Sequence, residues 1–443
     1  MSALTAGEGG VRVGVDGLNL AMAQGTGVAT YGRTLCETLT QMGSPLDGLF
    51  GLHLPHGAPD ALREVLFFAG LDPEPSPPPK PTIRRALRRA LVSPFARRPA
   101  ETRWSGQVIG EAFQGRLPAF DRLFSQGGLF EVGQRYFRRY GRFMPIRLPE
   151  PPAIMHWTYP LPLRVLGAAN IYTIHDLVPL RLPHTTTEDK RYHYRLIQTC
   201  VAQAARICTV SQASRRDILD MFPQTDPERV VNTYQTVATP AAARALSAPE
   251  LDARLRRLFD LQPDNYLLYF GALEPKKNIG RLIEAYLAAD LDTPLVIVGG
   301  RAWRAEKELR LLNGAHGLGL KGLGRIRRLD YLPEALLMLL VRGARAVVFP
   351  SLYEGFGLPA LEAMSLGVPV LASTTGSLPE VAGDAALLVN PYDVSEIAAG
   401  LTRLDSDAGL RERLAAAGPR QAERFSSAAY IRRLETLYHG LTI

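Results

Sequence analysis

Residues 344–373 read ARAVVFPSLYEGFGLPALEAMSLGVPVLAS, and how this stretch folds decides the architecture of the chain. It opens on a short valine-rich run, ARAVVFPS, with the length and composition of a strand buried on both faces. EGFG follows as a loop whose glycines reach backbone conformations that other residues avoid. Pro359 then suits the first turn of a helix, where its missing N–H costs nothing, and VPVLAS begins another strand. Strand, loop, helix and strand in this order form the unit of a parallel sheet with crossover helices. Backbone amides of Phe356, Gly357 and Leu358 would stand at the positive end of that helix, a place suited to a phosphate. Two carboxylates, Glu354 and Glu362, stand around the turn with seven residues between them. Glu362 is expected in the first helical turn, where it could bind a ligand or merely complement the helix dipole.

The same unit recurs on both sides. Upstream, VRVGVDGLNL, IYTIHD and ARICTVS read as strands leading into helices, the latter two from about Glu188 to Ala204 and from Gln212 to Met221. Downstream, NYLLYFGALEPKKN precedes IGRLIEAYLAA, and TPLVIVGG precedes a helix near Glu306. The two series divide around Thr236–Leu261. The expected fold is therefore α/β, with two doubly wound, Rossmann-like domains facing each other across a cleft. Their bounds are 1–243, carrying a Pro- and Arg-rich insertion at about 72–150, and 244–425, followed by a C-terminal helix at 426–443 that packs back toward the first domain. Ligands of such sheets bind beyond the carboxyl ends of the strands, so the strand-to-helix loops are where chemistry is expected.

Bulk properties narrow the class. With 443 residues, 46% hydrophobic and 21% charged, the chain has the composition of a globular protein of two domains. No apolar run is long enough to span a bilayer, and MSALTAGEGGVRVGVDGLNL lacks the pattern of a secretory signal. Cys36, Cys200 and Cys208 are too few and too scattered for a disulfide framework or zinc site, so a reducing cytoplasmic setting is expected. The net charge of +8 is concentrated: residues 80–150 hold 15 Lys/Arg against 5 Asp/Glu. Within that segment IRRALRRALVSPF reads as a short basic amphipathic helix, and 83–98 is a candidate contact for an anionic membrane. No aromatic-interleaved recognition module accompanies it, so nucleic acid is not expected as a partner.

FPSLYEGFGLPALEAMSLGVPVLAS together with SLPEVAGDAALLVNPYD resembles the C-terminal half of the family-4 retaining glycosyltransferases, two-domain enzymes of the GT-B fold. Glu354 and Glu362 match their Glu-x7-Glu signature. The resemblance extends through GTGVATY, HDLVPL, TVSQASRRDI and GALEPKKN, and is weakest at residues 70–150. It implies that Glu354 contacts the transferred sugar and that Glu362 accepts hydrogen bonds from the nucleotide ribose. It gives Lys277 the place of the diphosphate-binding lysine and has His175 reach toward the donor sugar, so that Glu354, His175 and Lys277 are the candidate catalytic residues. Gly271, Gly27, Gly355, Phe356, Gly357 and Leu358 would approach the donor with their backbones. Where many relatives carry an arginine after the first glycine of GALEPKKN this chain has Ala272, and Arg301 is a candidate substitute. Gly25 and Thr26 in QGTGVATY are acceptor-side candidates, as is Tyr159 in MHWTYPLP, where His156 could also face the acceptor. Ser211 and Arg215 lie near the cleft in relatives, although the stretch also reads as an ordinary capped helix.

Lys276 is expected to be a solvated charge, and Asp176 to serve as a cap as readily as a ligand. The Asp290–Asp292 triplet falls in a helix-to-strand loop, the wrong end for a metal-dependent transferase, so neither metal nor cofactor is expected. The resemblance thus implies transfer of a hexose, with retention, from a nucleotide diphosphate sugar to a glycan or polyprenyl diphosphate-linked acceptor in cell-surface polysaccharide or lipopolysaccharide assembly. GALEPKKN and the RAW after LVIVGG are similar to mannosyl-type members, which favours GDP-mannose over UDP-glucose as donor. Alternatives are a catalytically silent GT-B scaffold subunit and a sugar-nucleotide epimerase or phosphorylase on the same fold.

Overall fold

Short apolar strands alternate with helices along the chain, and each of the two series closes into its own sheet. The computed structural model describes residues 10–22, 27–54, 58–71, 96–103, 108, 113, 117–237, 245–300, 305–314 and 323–441. The first series comprises β1 (Val13–Asp16), β2 (Leu46–Phe50), β3 (Ala100–Thr102), β4 (Arg122–Ser125), β5 (Met144–Ile146), β6 (Ile154–Trp157), β7 (Leu163–Val165), β8 (Ala169–Ile174), β9 (Arg206–Thr209) and β10 (Val230–Asn232). Its main sheet runs β10-β9-β8-β6-β1-β2-β4-β3, parallel except for the edge strand β3, while β5 and β7 pair separately. The second series comprises β11 (Leu267–Phe270), β12 (Leu295–Val298), β13 (Ile326–Leu329), β14 (Ala346–Phe349), β15 (Val370–Ser373) and β16 (Leu387–Val389). These form a parallel sheet ordered β13-β12-β11-β14-β15-β16.

Every residue of β1, β6, β11, β12, β14 and β15 is buried, and β11, β12 and β14 accordingly read as continuous apolar runs rather than alternating ones. Chain order reverses between β1 and β6 in one sheet and between β11 and β14 in the other. At such a switch point the flanking helices pass to opposite faces and leave a crevice beyond the strand ends. The helix Gly27–Gln41 buries Tyr31, Leu35 and Leu39, spaced four residues apart along one face, against the first sheet. A later helix spans Lys190–Gln203, starting just after the expected Glu188 because the Asp189 carboxylate caps the amides of Arg191 and Tyr192.

The helix Ser427–Tyr438 at the C-terminal end of the second series packs against the first sheet. The Tyr438 hydroxyl is 2.6 Å from His156 Nδ1, and the Arg206 guanidinium donates to the carbonyls of Thr436 and Leu437. This corrects the acceptor-facing expectation for His156. Its ring is wholly buried, with Nε2 2.8 Å from Thr173 Oγ1, and burial pushes its pKa down to about 3. His156 is therefore a neutral internal connector between sheet and helix. Residues 72–95, which hold most of the candidate membrane contact, lie outside the described residues. Among the described residues no helix is long and apolar enough to cross a membrane.

Candidate functional site

Beyond β11 the chain turns at Gly271 (φ 141°), makes a single 3₁₀ turn over Pro275–Lys277, and passes through Asn278 in the left-handed conformation (φ 63°). Asn tolerates that conformation better than most residues, and here tertiary bonds enforce it. The buried Asn278 Nδ2 donates to the carbonyls of Pro350 at 2.9 Å and Pro391 at 2.7 Å. A further tie joins the Leu352 amide to the Lys276 carbonyl at 2.8 Å. The KKN turn is thereby fastened to the loop after β14. As a result Lys277 Nζ lies 2.7 Å from Glu354 Oε1, forming an ion pair in which Glu354 is only 6% exposed.

The loop after β14 is held from behind. Ser377 Oγ donates to the carbonyls of Glu354 and Phe356, at 2.9 and 2.8 Å. Gly357 (φ 103°) then swings the chain into the helix Leu358–Ser365, with Pro359 in its first turn. A side chain at Gly357 would meet Leu378 at 2.6 Å, so both conformation and space select glycine. The amides of Phe356, Gly357 and Leu358 have no acceptor among the described residues. Glu362 differs from expectation. Because the helix begins at Leu358, Glu362 falls in its second turn, beyond useful reach of the helix end. Burial, and then the nearby Glu334 carboxylate, push its pKa up to about 8.

The opposite wall comes from the first sheet. His175 follows β8, and its Nε2 lies 2.8 Å from the Thr158 carbonyl. A carbonyl only accepts, so Nε2 carries the proton and Nδ1 is left as an acceptor. Burial lowers the His175 pKa, and the ring stands edge-on to Tyr31 at 4.9 Å, which fixes a neutral imidazole in one orientation. Asp176 does cap: its Oδ1 accepts from the Val178 amide at 3.0 Å, while Oδ2 lies 3.7 Å from Lys276 Nζ. Lys276 is thus no solvated charge. Burial alone would lower its pKa, but the carboxylates of Asp176 and Glu274, each 3.7 Å from it, raise it above the ordinary lysine value. The walls approach closely at Gly355, where a Cβ would sit 2.5 Å from the His175 carbonyl oxygen.

Between the walls lies a cavity of about 670 Å³, at the switch points of both sheets. It is lined by Gly27, His175, Gly271, Lys277, Glu354, Gly355, Phe356, Gly357, Leu358 and Glu362, so these candidates come together although they span the chain. Tyr159 lines an adjoining cavity of about 390 Å³. Gly25, Thr26 and Arg301 lie outside the described residues. Ser211 caps the helix Gln212–Met221, and Arg215 turns away to the carbonyls of Val230 and Pro227; the capped-helix reading describes them. Asp290 and Asp292 pair with Arg325 at 3.5 and 2.9 Å, and among the described residues no cluster suits a metal ion.

Sequence reasoning missed Glu380, whose carboxylate accepts from the amides of Gln212 at 3.0 Å and Ala213 at 2.8 Å and from the Tyr234 hydroxyl. It therefore joins the second sheet's helix Leu378–Ala382 to the start of a helix on the first sheet. SLPEVAG carries this residue, but nothing local to the motif indicates a partner so far along the chain.

Residues 256–421 match the family described as glycosyl transferases group 1. The chain is 36% identical over 261 residues to the O-antigen chain mannosyltransferase B of Escherichia coli, covering 58% of this chain and 66% of that protein. It is 30% identical over 274 residues to an Escherichia coli serotype-specific mannosyltransferase WbdA, covering 61% of this chain and 33% of that one. The chain therefore spans just under two thirds of the first relative and about a third of the second. In structure it is similar to the sucrose-phosphate synthase of Thermosynechococcus elongatus, with a TM-score of 0.63, 19% identity, and 97% and 99% of the two chains covered. The two facing sheets with their helices together have the GT-B fold.

Proposed function

We propose that this chain is a family-4 retaining glycosyltransferase that moves a hexose, mannose, from GDP-mannose to a glycan or lipid-linked acceptor in cell-surface polysaccharide or lipopolysaccharide assembly. The observation that carries the reading is the Lys277–Glu354 ion pair beside three loop amides with no acceptor among the described residues, facing a neutral His175 across one cavity. The named activities of the mannosyltransferase relatives support the choice of sugar. Lys277 and the amides of Phe356, Gly357 and Leu358 hold the diphosphate, where negative charge grows as the glycosidic bond breaks. The paired carboxylate of Glu354 and the free Nδ1 of His175 accept hydroxyls of the sugar, and Glu362 accepts those of the ribose.

Transfer proceeds on one face of the sugar. The bond from C1 to the donor phosphate oxygen breaks, the acceptor oxygen bonds to C1, and the acceptor's proton passes to the released diphosphate. No metal is required, because fixed cations and amides meet that charge. In this reading residues 1–243 form the acceptor-side domain, 244–425 the donor domain and 426–443 a returning helix, while the basic segment including 83–98 rests on an anionic inner leaflet.

Exchange of Glu354→Ala or Lys277→Ala is expected to lower kcat/KM for transfer by about 10²-fold or more with the fold retained by circular dichroism. Turnover at the wild-type level in either variant would exclude the assignment. In a thermal-shift screen GDP is expected to raise the melting temperature more than UDP or ADP at equal concentration.

A further inference from the structure

The smaller cavity has a chemistry distinct from the larger one. The two meet at His175, Asp176, Glu274 and Lys276, which line both. On the far side the smaller cavity is walled by Tyr159 and Pro160 from the loop after β6, and by the segment that ends at Glu188. Three carboxylates, Asp176, Glu188 and Glu274, stand around it against one lysine. Lys276 is already shared between Asp176 and Glu274. Glu188 is left beside His193, with Oε2 3.1 Å from Nδ1. His193 is only 6% exposed, and its Nε2 has no partner among the described residues. The larger cavity adds the carboxylates of Glu354 and Glu362 as well, but there Glu354 is paired with Lys277, and the amides of Phe356, Gly357 and Leu358 have no acceptor among the described residues.

We infer that the smaller cavity receives the acceptor as an uncharged saccharide terminus, whose hydroxyls meet carboxylates and whose ring lies on Tyr159 and Pro160, and that it rejects a terminus bearing phosphate. The inference rests on the glycosyltransferase reading and specifies its acceptor. Carboxylates accept two hydroxyl hydrogens each, while an aromatic and a proline face suit the apolar side of a pyranose. A phosphate placed here faces an excess of negative charge in a partly desolvated site, where Coulomb repulsion is much stronger than in water. A cationic terminus meets Lys276 held at the junction. The division assigns the anionic diphosphate to one cavity and the neutral sugar to the other, with Lys276 between them.

The test is direct binding to the full-length protein saturated with GDP, so that it does not depend on turnover. Two probes are titrated by calorimetry: mannobiose, and mannobiose carrying a 6-phosphate on its non-reducing sugar. The neutral probe is expected to bind about tenfold or more tighter than the phosphorylated one. Glu188→Lys is expected to narrow or invert that ratio, and Glu188→Gln to narrow it less. Because each ratio compares two probes in one preparation, partial misfolding of a variant does not imitate the result. Equal or tighter binding of the phosphorylated probe to the wild type overturns the inference. So does failure of both probes to bind, or a ratio that Glu188→Lys leaves unchanged. Nucleotide-sugar turnover is measured separately: its absence counts against the transfer reading, whereas a wrong binding ratio with turnover intact counts against the acceptor assignment alone.

Discussion

Glu362 carries opposed demands at one position. Its carboxyl lines the cavity in partly buried surroundings near Glu334, and its pKa stands at about 8 against an ordinary 4.5. To accept two ribose hydroxyls it must lose its proton. Nucleotide binding is therefore expected to release a proton below about pH 8, with GDP affinity rising from pH 6 to 8 and levelling above. In Glu362→Gln the affinity falls and that pH dependence disappears, which titration calorimetry in two buffers of different ionisation enthalpy can read. Stability changes in the other direction. A carboxyl whose pKa is raised on folding favours the folded state while protonated, and that contribution is lost as pH climbs through about 8. The ligand-free Glu362→Gln protein is thus expected to gain melting temperature over the wild type as pH rises from 5 to 8. An unchanged gap across that range would rule out the raised pKa.

Among the elements, the helix Gln212–Met221 shows how one domain completes another. Its first amides are orphans in any helix, and each finds an acceptor here. Gln212 and Ala213 donate to Glu380 of the facing domain, Ser214 donates to the Ser211 side chain, and Arg215 donates to the Ser211 carbonyl. The same helix returns Ser214 Oγ to the His175 carbonyl at 2.7 Å and pairs Asp217 with the Tyr353 hydroxyl, just before Glu354. Position and orientation of the cleft walls are thus coupled through one helix start. Glu380→Ala is expected to cost about 0.5–2 kcal/mol in urea unfolding and to raise the donor KM, because two part-buried amides lose their acceptor. A stability change without any effect on donor KM would mean that Glu380 caps the helix but does not set the cleft. The identity of this helix, its start and its Ser211 cap follow from the local sequence. Its second cap does not, because Glu380 approaches only after both sheets have formed.

For the molecule as a whole, the helix Ser427–Tyr438 fastens the end of the chain to the sheet on which it began. Tyr438 supplies the hydrogen bond to His156 Nδ1 in a buried cluster where His156 Nε2, Thr173 and Tyr31 also meet, and Tyr31 in turn carries the ring of His175. Tyr438→Phe strands a buried ring nitrogen and is expected to cost about 1–3 kcal/mol, seen as a lower midpoint in urea. A midpoint equal to the wild type would show the bond to be dispensable.

By itself the sequence determined the alternation of buried strands and helices, the two mostly parallel sheets they form, and the glycine turn that starts the helix Leu358–Ser365. These follow from periodicity, turn chemistry and strand composition, which act over a few residues. The resemblance carried by the same motifs named the residues that line the larger cavity. What only the tertiary structure decided is the state of each side chain there: Lys276 caught between Asp176 and Glu274, His156 sealed beneath Tyr438, and Glu380 spanning the domains. Burial and charge at a residue depend on groups that the fold brings from distant parts of the chain, and no local pattern encodes them.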